Sequence, residues 1–303
     1  MEVVEIQSRI RKLKKVKNAI VLAHNYQLPE IYDVADAVAD SFELAVVARE
    51  TDAAIIVFAG VKFMAESAKI LNPTKKVLLP DLAAGCPLAD FATAEKVRAK
   101  KKEFPNATVV AYVNSTAAVK AESDVCVTSA NAVKICRELS EREIIFLPDR
   151  NLGEWVAENL PEKKIILWEG NCFVHARIAT ERVAAARTNH PDAKILVHPE
   201  SPRAIRELAD AVVGTGGMSK FAGNSDAAEF LIATESGMLE KLRRENPEKK
   251  FCALAGECAN MKKITLAKIL NSLENEEFEI EIDEKIASAA RKSLEKMIEL
   301  SGK

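Results

Sequence analysis

Val77-Leu78-Leu79-Pro80-Asp81-Leu82-Ala83-Ala84-Gly85-Cys86 decides the fold, because the chain writes this pattern three times. Ile165-Ile166-Leu167-Trp168 runs into Gly170-Asn171-Cys172, and Phe251-Cys252-Ala253-Leu254 runs into Gly256-Glu257-Cys258. Each copy reads as a buried strand, a Gly-bearing turn and then a thiol. The spacing is constant, since 172 − 86 = 86 and 258 − 172 = 86. A site carried by these thiols was therefore assembled by repetition.

The rest of the chain repeats with a period of close to ninety residues, as a repeat architecture requires. Asn18-Ala19-Ile20-Val21-Leu22-Ala23-His24-Asn25 recurs as Asn106-Ala107-Thr108-Val109-Val110-Ala111-Tyr112-Val113-Asn114 and as Asp192-Ala193-Lys194-Ile195-Leu196-Val197-His198-Pro199-Glu200. Ala35-Asp36-Ala37-Val38, leading to Ser41, recurs as Ser123-Asp124-Val125-Cys126 to Ser129 and as Ala209-Asp210-Ala211-Val212 to Thr215. A third apolar run appears as Ile55-Ile56-Val57-Phe58, Ile144-Ile145-Phe146-Leu147 and Phe230-Leu231-Ile232-Ala233. Pro73, Pro161 and Pro247 each stand two residues before a lysine, at Lys75, Lys163 and Lys249.

Helical patterns lie between the apolar runs, as at Ala45 to Glu50, Ala132 to Leu139 and Glu181 to Thr188. Alternation of strand and helix predicts an α/β fold of parallel sheets sandwiched by helices. Three similar αβα-sandwich units are expected around a pseudo-threefold axis: 1–90 carrying Cys86, 91–176 carrying Cys172, and 177–303 carrying Cys258 plus a C-terminal helix. That last helix, with Ile286, Ala290, Leu294 and Met297 at helical spacing, is expected to close the third unit. Right-handed crossovers put the loop after every strand on one sheet edge, where open α/β sheets bind ligands. All three cysteines fall on that edge.

Composition agrees. The chain has 303 residues, 48% of them hydrophobic, room for two or three globular α/β units. A net charge of −2 argues against a nucleic-acid surface, and Lys100-Lys101-Lys102 reads as a solvated helix end. No apolar run approaches the ~20 residues of a membrane span. The opening segment, with Val4, Ile6, Ile10, Leu13 and Val16 among charges, reads as an amphipathic helix and has no signal-peptide core. Six cysteines are too sparse for a disulfide framework and suit a reducing compartment. A cytoplasmic protein is expected.

Loops from equivalent edges of three packed units converge on their axis, so three thiolates meet there. A structural zinc site usually takes four protein ligands, whereas a cubane 4Fe-4S cluster held by three cysteines keeps one iron open to substrate. No obvious fourth cysteine is offered. Cys126 lies in a short strand, Cys136 in a helix and Cys252 in a core strand, where free cysteines serve as small hydrophobes.

Other polar groups repeat as well. His24, Tyr112 and His198 end the first strand of their units, while Ser41, Ser129 and Thr215 follow the second strand at expected helix starts. Such hydroxyls serve as N-caps or, with the exposed N–H groups and positive helix end, as anion ligands. Thr215-Gly216-Gly217 lets a ligand approach the backbone closely. Glu200, after His198-Pro199, is the best-placed carboxylate for proton transfer, with a solvated glutamate as the alternative.

At these residues the chain resembles the quinolinate synthase family over essentially its whole length. The matching motifs are Ala23-His24-Asn25-Tyr26-Gln27, Asp40-Ser41, Phe63-Met64-Ala65-Glu66, Tyr112-Val113-Asn114-Ser115, Thr128-Ser129-Ala130-Asn131, Pro148-Asp149-Arg150-Asn151-Leu152-Gly153, Val174-His175, Val197-His198-Pro199-Glu200 and Asn260-Met261-Lys262. The resemblance implies a 4Fe-4S cluster on Cys86, Cys172 and Cys258. It also implies condensation of iminoaspartate with dihydroxyacetone phosphate to quinolinate, the pyridine precursor of NAD, with loss of phosphate and water. Matched substrate contacts fall on His24, Tyr26, Ser41, Tyr112, Asn114, Ser129, His198 and Thr215. Glu200 matches the family's acid/base glutamate, and Tyr26 and His198 are expected to orient and protonate oxygens. An enzyme producing iminoaspartate is the expected protein partner. The chain departs from the usual pattern at Ser201, where many members carry a further cysteine. The residues also admit a different iron–sulfur hydro-lyase, or a non-catalytic zinc scaffold or redox sensor.

Overall fold

A computed structural model of the chain describes residues 2–302. Its twelve strands form three four-stranded sheets, all parallel. The first sheet contains β1 (Ala19–His24), β2 (Ala37–Ala39), β3 (Ile55–Ala59) and β4 (Lys76–Leu78), in the order β2-β1-β3-β4. The second contains β5 (Thr108–Tyr112), β6 (Val125–Val127), β7 (Glu143–Leu147) and β8 (Lys164–Leu167), in the order β6-β5-β7-β8. The third contains β9 (Lys194–Val197), β10 (Ala211–Val212), β11 (Glu229–Ala233) and β12 (Lys250–Ala253), in the order β10-β9-β11-β12. The α/β class and the three similar units are thus as the repeat implies.

Helices cover both faces of a parallel sheet, so its strands are apolar throughout rather than alternating. Every residue of Ile55–Ala59 and of Thr108–Tyr112 is buried accordingly. In each sheet strand order reverses beside the first strand, which opens a crevice at the carboxyl ends of the strands.

The repeat also has a hydrogen-bond signature. Asp36 accepts the backbone N–H of Val21 at 2.7 Å, Asp124 that of Val109 at 2.8 Å, and Asp210 that of Ile195 at 2.8 Å. Each aspartate thereby ties the approach to the second strand onto the first. The lysines after the prolines act at the other end of the layer. Lys75, Lys163 and Lys249 donate to the C-cap carbonyls of Thr51, Leu139 and Ser225, which end helices Ser41–Glu50, Ala132–Glu138 and Thr215–Asn224. A cation at that end meets carbonyls the helix leaves unpaired. Lys100 to Lys102 form the basic last turn of helix Ala94–Glu103, but only Lys102 is exposed: Lys100 packs on Phe104 and Lys101 donates to the Glu122 carbonyl at 3.1 Å.

Two expectations need correction. The terminal helix Glu284–Leu300 does not close the third unit; it packs on helix Ala117–Ala121 and β6 of the second and on helix Lys62–Leu71 of the first. Ser293 Oγ donates to the Lys120 carbonyl at 3.0 Å, and Arg291 Nε to that of Ile70 at 2.8 Å. Helical spacing shows that Ala290, Leu294 and Met297 form a face to bury, but not which groove receives it. The segment before this helix likewise returns to the first sheet. Leu78 and Glu279 form an antiparallel bridge, and Ile280 N–H donates to the Val77 carbonyl at 2.8 Å, covering the β4 edge.

In the opening helix Val3–Val16, Ile6, Ile10 and Leu13 face the core. Val4 and Val16, read as part of that face, stand 71% and 72% exposed.

Candidate active site and metal centre

The three crevices open into one cavity, to which each unit contributes four of the residues singled out in the sequence. His24, Tyr26, Ser41 and Cys86 come from the first unit, and Tyr112, Asn114, Ser129 and Cys172 from the second. His198, Glu200, Thr215 and Cys258 come from the third. Their sequence separations are bridged because each lies at or beyond the carboxyl end of a strand in its unit's sheet. Two glycines let the units meet there: a Cβ on Gly214 would come within 3.0 Å of Ser129 Oγ, and one on Gly216 within 3.0 Å of Asp40 Oδ2.

All six cysteines are free thiols, and Cys86, Cys172 and Cys258 are half-buried against the cavity. Burial pushes the Cys86 thiol up to about 12 and raises Cys172 and Cys258 as well. Opposing this, N–H groups of Leu88 and Ala89 are directed at Cys86, that of His175 at Cys172, and those of Asn260 and Met261 at Cys258. Such N–H donors favour sulfur that carries charge. The donor set fits an iron–sulfur cluster: three thiols from three loops, each met by backbone N–H, with no disulfide consuming them. A metal replaces the protons that burial would otherwise hold on sulfur.

Carboxylates brace two of the three loops. Asp149 Oδ2 accepts the Cys172 N–H at 3.2 Å and Glu235 Oε1 the Cys258 N–H at 2.9 Å. Asp149 and Glu235 stand two residues past the ends of β7 and β11, and the matching position of the first unit, two past the end of β3, is Val61. The Cys86 loop therefore lacks that brace.

A second group sits beside the thiols. His198 Nδ1 and His175 Nδ1 each lie 3.2 Å from Glu200 Oε2, and the two rings stack with centroids 4.6 Å apart. His198 Nδ1 also accepts the Glu200 backbone N–H at 3.3 Å, which leaves the ring proton on Nε2 to be donated to Ser129 Oγ at 3.1 Å. Thr234 Oγ1 joins His175 Nε2 at 2.9 Å to the Tyr26 hydroxyl at 2.6 Å. Burial, reinforced by Asp149, holds the Glu200 carboxyl well above the usual carboxylate range. Burial also depresses the histidines, taking His24 and His175 to about 3 and His198 well below its ordinary value. Burial thus disfavours charge on each of these groups. Glu200 is 3% exposed, which sets aside a solvated glutamate, and its Oε1 has no protein partner.

The capping reading of two hydroxyls is also overturned. Asp40 caps helix Ser41–Glu50, accepting from Phe42 and Glu43, so Ser41 stands one residue inside the helix. Ser129 precedes Asn131, the N-cap of helix Ala132–Glu138. Thr215 opens its helix and accepts from Asn25 Nδ2 at 3.0 Å.

The model of the family described as quinolinate synthetase A protein matches residues 8–299. The chain belongs to the quinolinate synthetase A family. A quinolinate synthase of Caldicellulosiruptor saccharolyticus is 52% identical over 303 residues, covering 99% of this chain and all of that protein. One from Alkaliphilus metalliredigens is 49% identical, covering 96% and 97% of the two chains. One from Aquifex aeolicus is 46% identical, covering 99% and 95%.

For this quinolinate synthetase A member, reading residues singly misses several groups in and behind the cavity wall. Asp149 and Glu235 were available from the 86-residue register, and His175 from its place three residues after Cys172. Thr234 has no such signal, because its repeat partner is Pro148, where 234 − 86 = 148. Lys262 pairs with Glu235 at 3.1 Å and donates to the Tyr26 carbonyl at 2.5 Å, joining the third cysteine loop to the first unit.

Proposed function

We infer that the protein catalyses quinolinate synthesis, condensing iminoaspartate with dihydroxyacetone phosphate and releasing phosphate and water. The observation that carries this reading is the convergence, in a family member matched from 8 to 299, of three thiols and the Glu200–His198–Ser129 chain on one cavity. Cys86, Cys172 and Cys258 would hold a 4Fe-4S cluster, whose iron without a cysteine ligand supplies Lewis acidity toward a carboxylate or leaving hydroxyl.

The chain's own groups supply binding and proton transfer. Among the described residues no lysine or arginine lines the cavity, so anionic parts of the substrates fall to the hydroxyls of Ser41, Ser129 and Thr215 and to the starts of helices Ser41–Glu50 and Thr215–Asn224. Burial keeps Tyr26 and Tyr112 protonated, so their phenols donate to substrate oxygens, with Asn114 and His24 completing the walls. Glu200, protonated at rest, gives its proton to a departing hydroxyl as water forms. The carboxylate so produced is a strong base in its dry site and removes a carbon-bound proton, with His198 Nδ1 at 3.2 Å to relay it.

No described helix is long and apolar enough to cross a membrane. A cytoplasmic setting, an enzyme supplying the unstable iminoaspartate, and unit boundaries near 90 and 176 complete the reading. The test is anaerobic reconstitution with iron-57, Mössbauer spectra with and without quinolinate, and assay of quinolinate from the two substrates. A 4Fe-4S signal in which one iron shifts on adding quinolinate, with turnover, is expected. Zinc alone with no reconstitutable iron, or a loaded cluster without turnover, overturns it.

A further inference from the structure

We propose that His190, Glu229 and Cys252 form a binding site for a zinc-type divalent cation on the third unit, outside the cavity. His190 is the C-cap of helix Thr180–Asn189, Glu229 opens β11, and Cys252 lies within β12. The two strands pair Glu229 with Lys250 and Leu231 with Cys252, so Glu229 and Cys252 are diagonal neighbours on one sheet face. Glu229 Oε1 lies 3.0 Å from His190 Nδ1 and 4.0 Å from Cys252 Sγ, and all three donor atoms lie within 4.8 Å of one another. A tetrahedral zinc with bonds of about 2.1 Å to nitrogen and oxygen and about 2.3 Å to sulfur needs donors roughly 3.3–3.7 Å apart. Small side-chain rotations reach that arrangement. Imidazole, carboxylate and thiolate together suit zinc, whereas calcium and magnesium call for oxygen alone.

All three side chains are half-buried, open to an ion from solvent yet held by helix and sheet. The repeat shows what is particular to this unit. One period earlier stand Phe104, Glu143 and Ile166, and Glu143 pairs with Lys164 at 2.7 Å. The carboxylate is shared by two units, but the imidazole and thiol occur only in the third. Binding displaces the Cys252 proton and replaces the His190–Glu229 contact, leaving one position for water. The ion would staple helix Thr180–Asn189, which leads into the third unit, onto the β11–β12 pair.

The test uses cluster-loaded protein, so that Cys86, Cys172 and Cys258 are occupied. Zn²⁺ is titrated by calorimetry into the natural protein and into Cys252→Ser, His190→Gln and Glu229→Gln, with zinc-edge X-ray absorption on the natural protein. One zinc per chain with a single sulfur neighbour at about 2.3 Å is expected. Each variant should weaken binding by about 10-fold or more while iron per chain stays unchanged. No saturable binding, a spectrum without sulfur, or affinity unchanged in all three variants overturns the proposal. A spectrum with three sulfurs, placing zinc at the cavity cysteines, overturns it as well.

Discussion

Glu235 Oε1 accepts the backbone N–H of Cys258 at 2.9 Å while its Oε2 accepts that of Gly237 at 2.6 Å, so one buried carboxylate ties the turn after β11 to the third cysteine loop. Asp149 does the same for Cys172 and Leu152. Removing such an acceptor strands buried donors at about 1–3 kcal/mol, and groups bracing metal ligands typically govern affinity by 10–100-fold. Asp149→Ala and Glu235→Ala should therefore lose iron to a chelator roughly 10-fold faster or more, read as iron per chain against time. Asp149→Asn, which keeps one acceptor oxygen, should fall between. Iron retention equal to the natural protein in both alanine variants would show that these carboxylates shape only the apo loops.

Glu200→Gln tests the proton network separately from the metal. Glutamine keeps the size of the side chain and its contact with the histidine pair but carries no transferable proton. Turnover should fall by ~10²-fold or more, while iron per chain and cluster absorption stay as in the natural protein. Normal turnover would remove Glu200 from the chemistry.

Burial, with Lys262 and Lys241 adding to it, lowers His24 to about 3, so the folded chain holds this ring neutral. An unfolded histidine titrates near 6.5. Below that value the unfolded state binds a proton that the folded state refuses, and stability falls as pH drops from about 6.5 toward 3, by about 1.4 kcal/mol per unit for this one group. His24→Gln should reduce the slope of stability against pH by about that amount in this window and leave it unchanged above pH ~7. Urea midpoints between pH 4 and 8 on cluster-free protein measure it; an unchanged slope would show that water reaches the His24 ring.

The repeat of close to ninety residues made the sheets, their common edge and the cavity residues legible in the sequence, because a repeat fixes position as well as residue type. It failed where a feature breaks the repeat. Helix Glu284–Leu300 has no counterpart elsewhere in the chain, so its apolar spacing gave a face without an address. Thr234 joins His175 to Tyr26 from different units, a contact that exists only after the units pack. Ser41 reads as a cap by residue type, and only the Asp40 bonds to Phe42 and Glu43 show which side chain takes that place.

Gly214 offers the sharpest test of how closely the units must approach at the axis. Its φ of −68° suits any residue, so an alanine there acts through space alone. The added Cβ would lie 3.0 Å from Ser129 Oγ, the atom that receives the His198 Nε2 proton, and 3.6 Å from the Ala130 nitrogen. Ser129 must rotate or retreat, and either movement breaks the hydrogen bond that orients His198. A hydrogen bond to an anionic substrate group is worth about 1.5–3 kcal/mol, so Gly214→Ala should lower kcat/KM by roughly 10- to 100-fold. Gly223→Ala in the same helix is the control: that position is exposed, and a Cβ there meets only Asn246 Oδ1 at 3.9 Å. It should keep full activity and gain about 0.5–1 kcal/mol of stability from the helical alanine. Equal activity in the two variants would mean that the Ser129–His198 contact does not govern substrate binding.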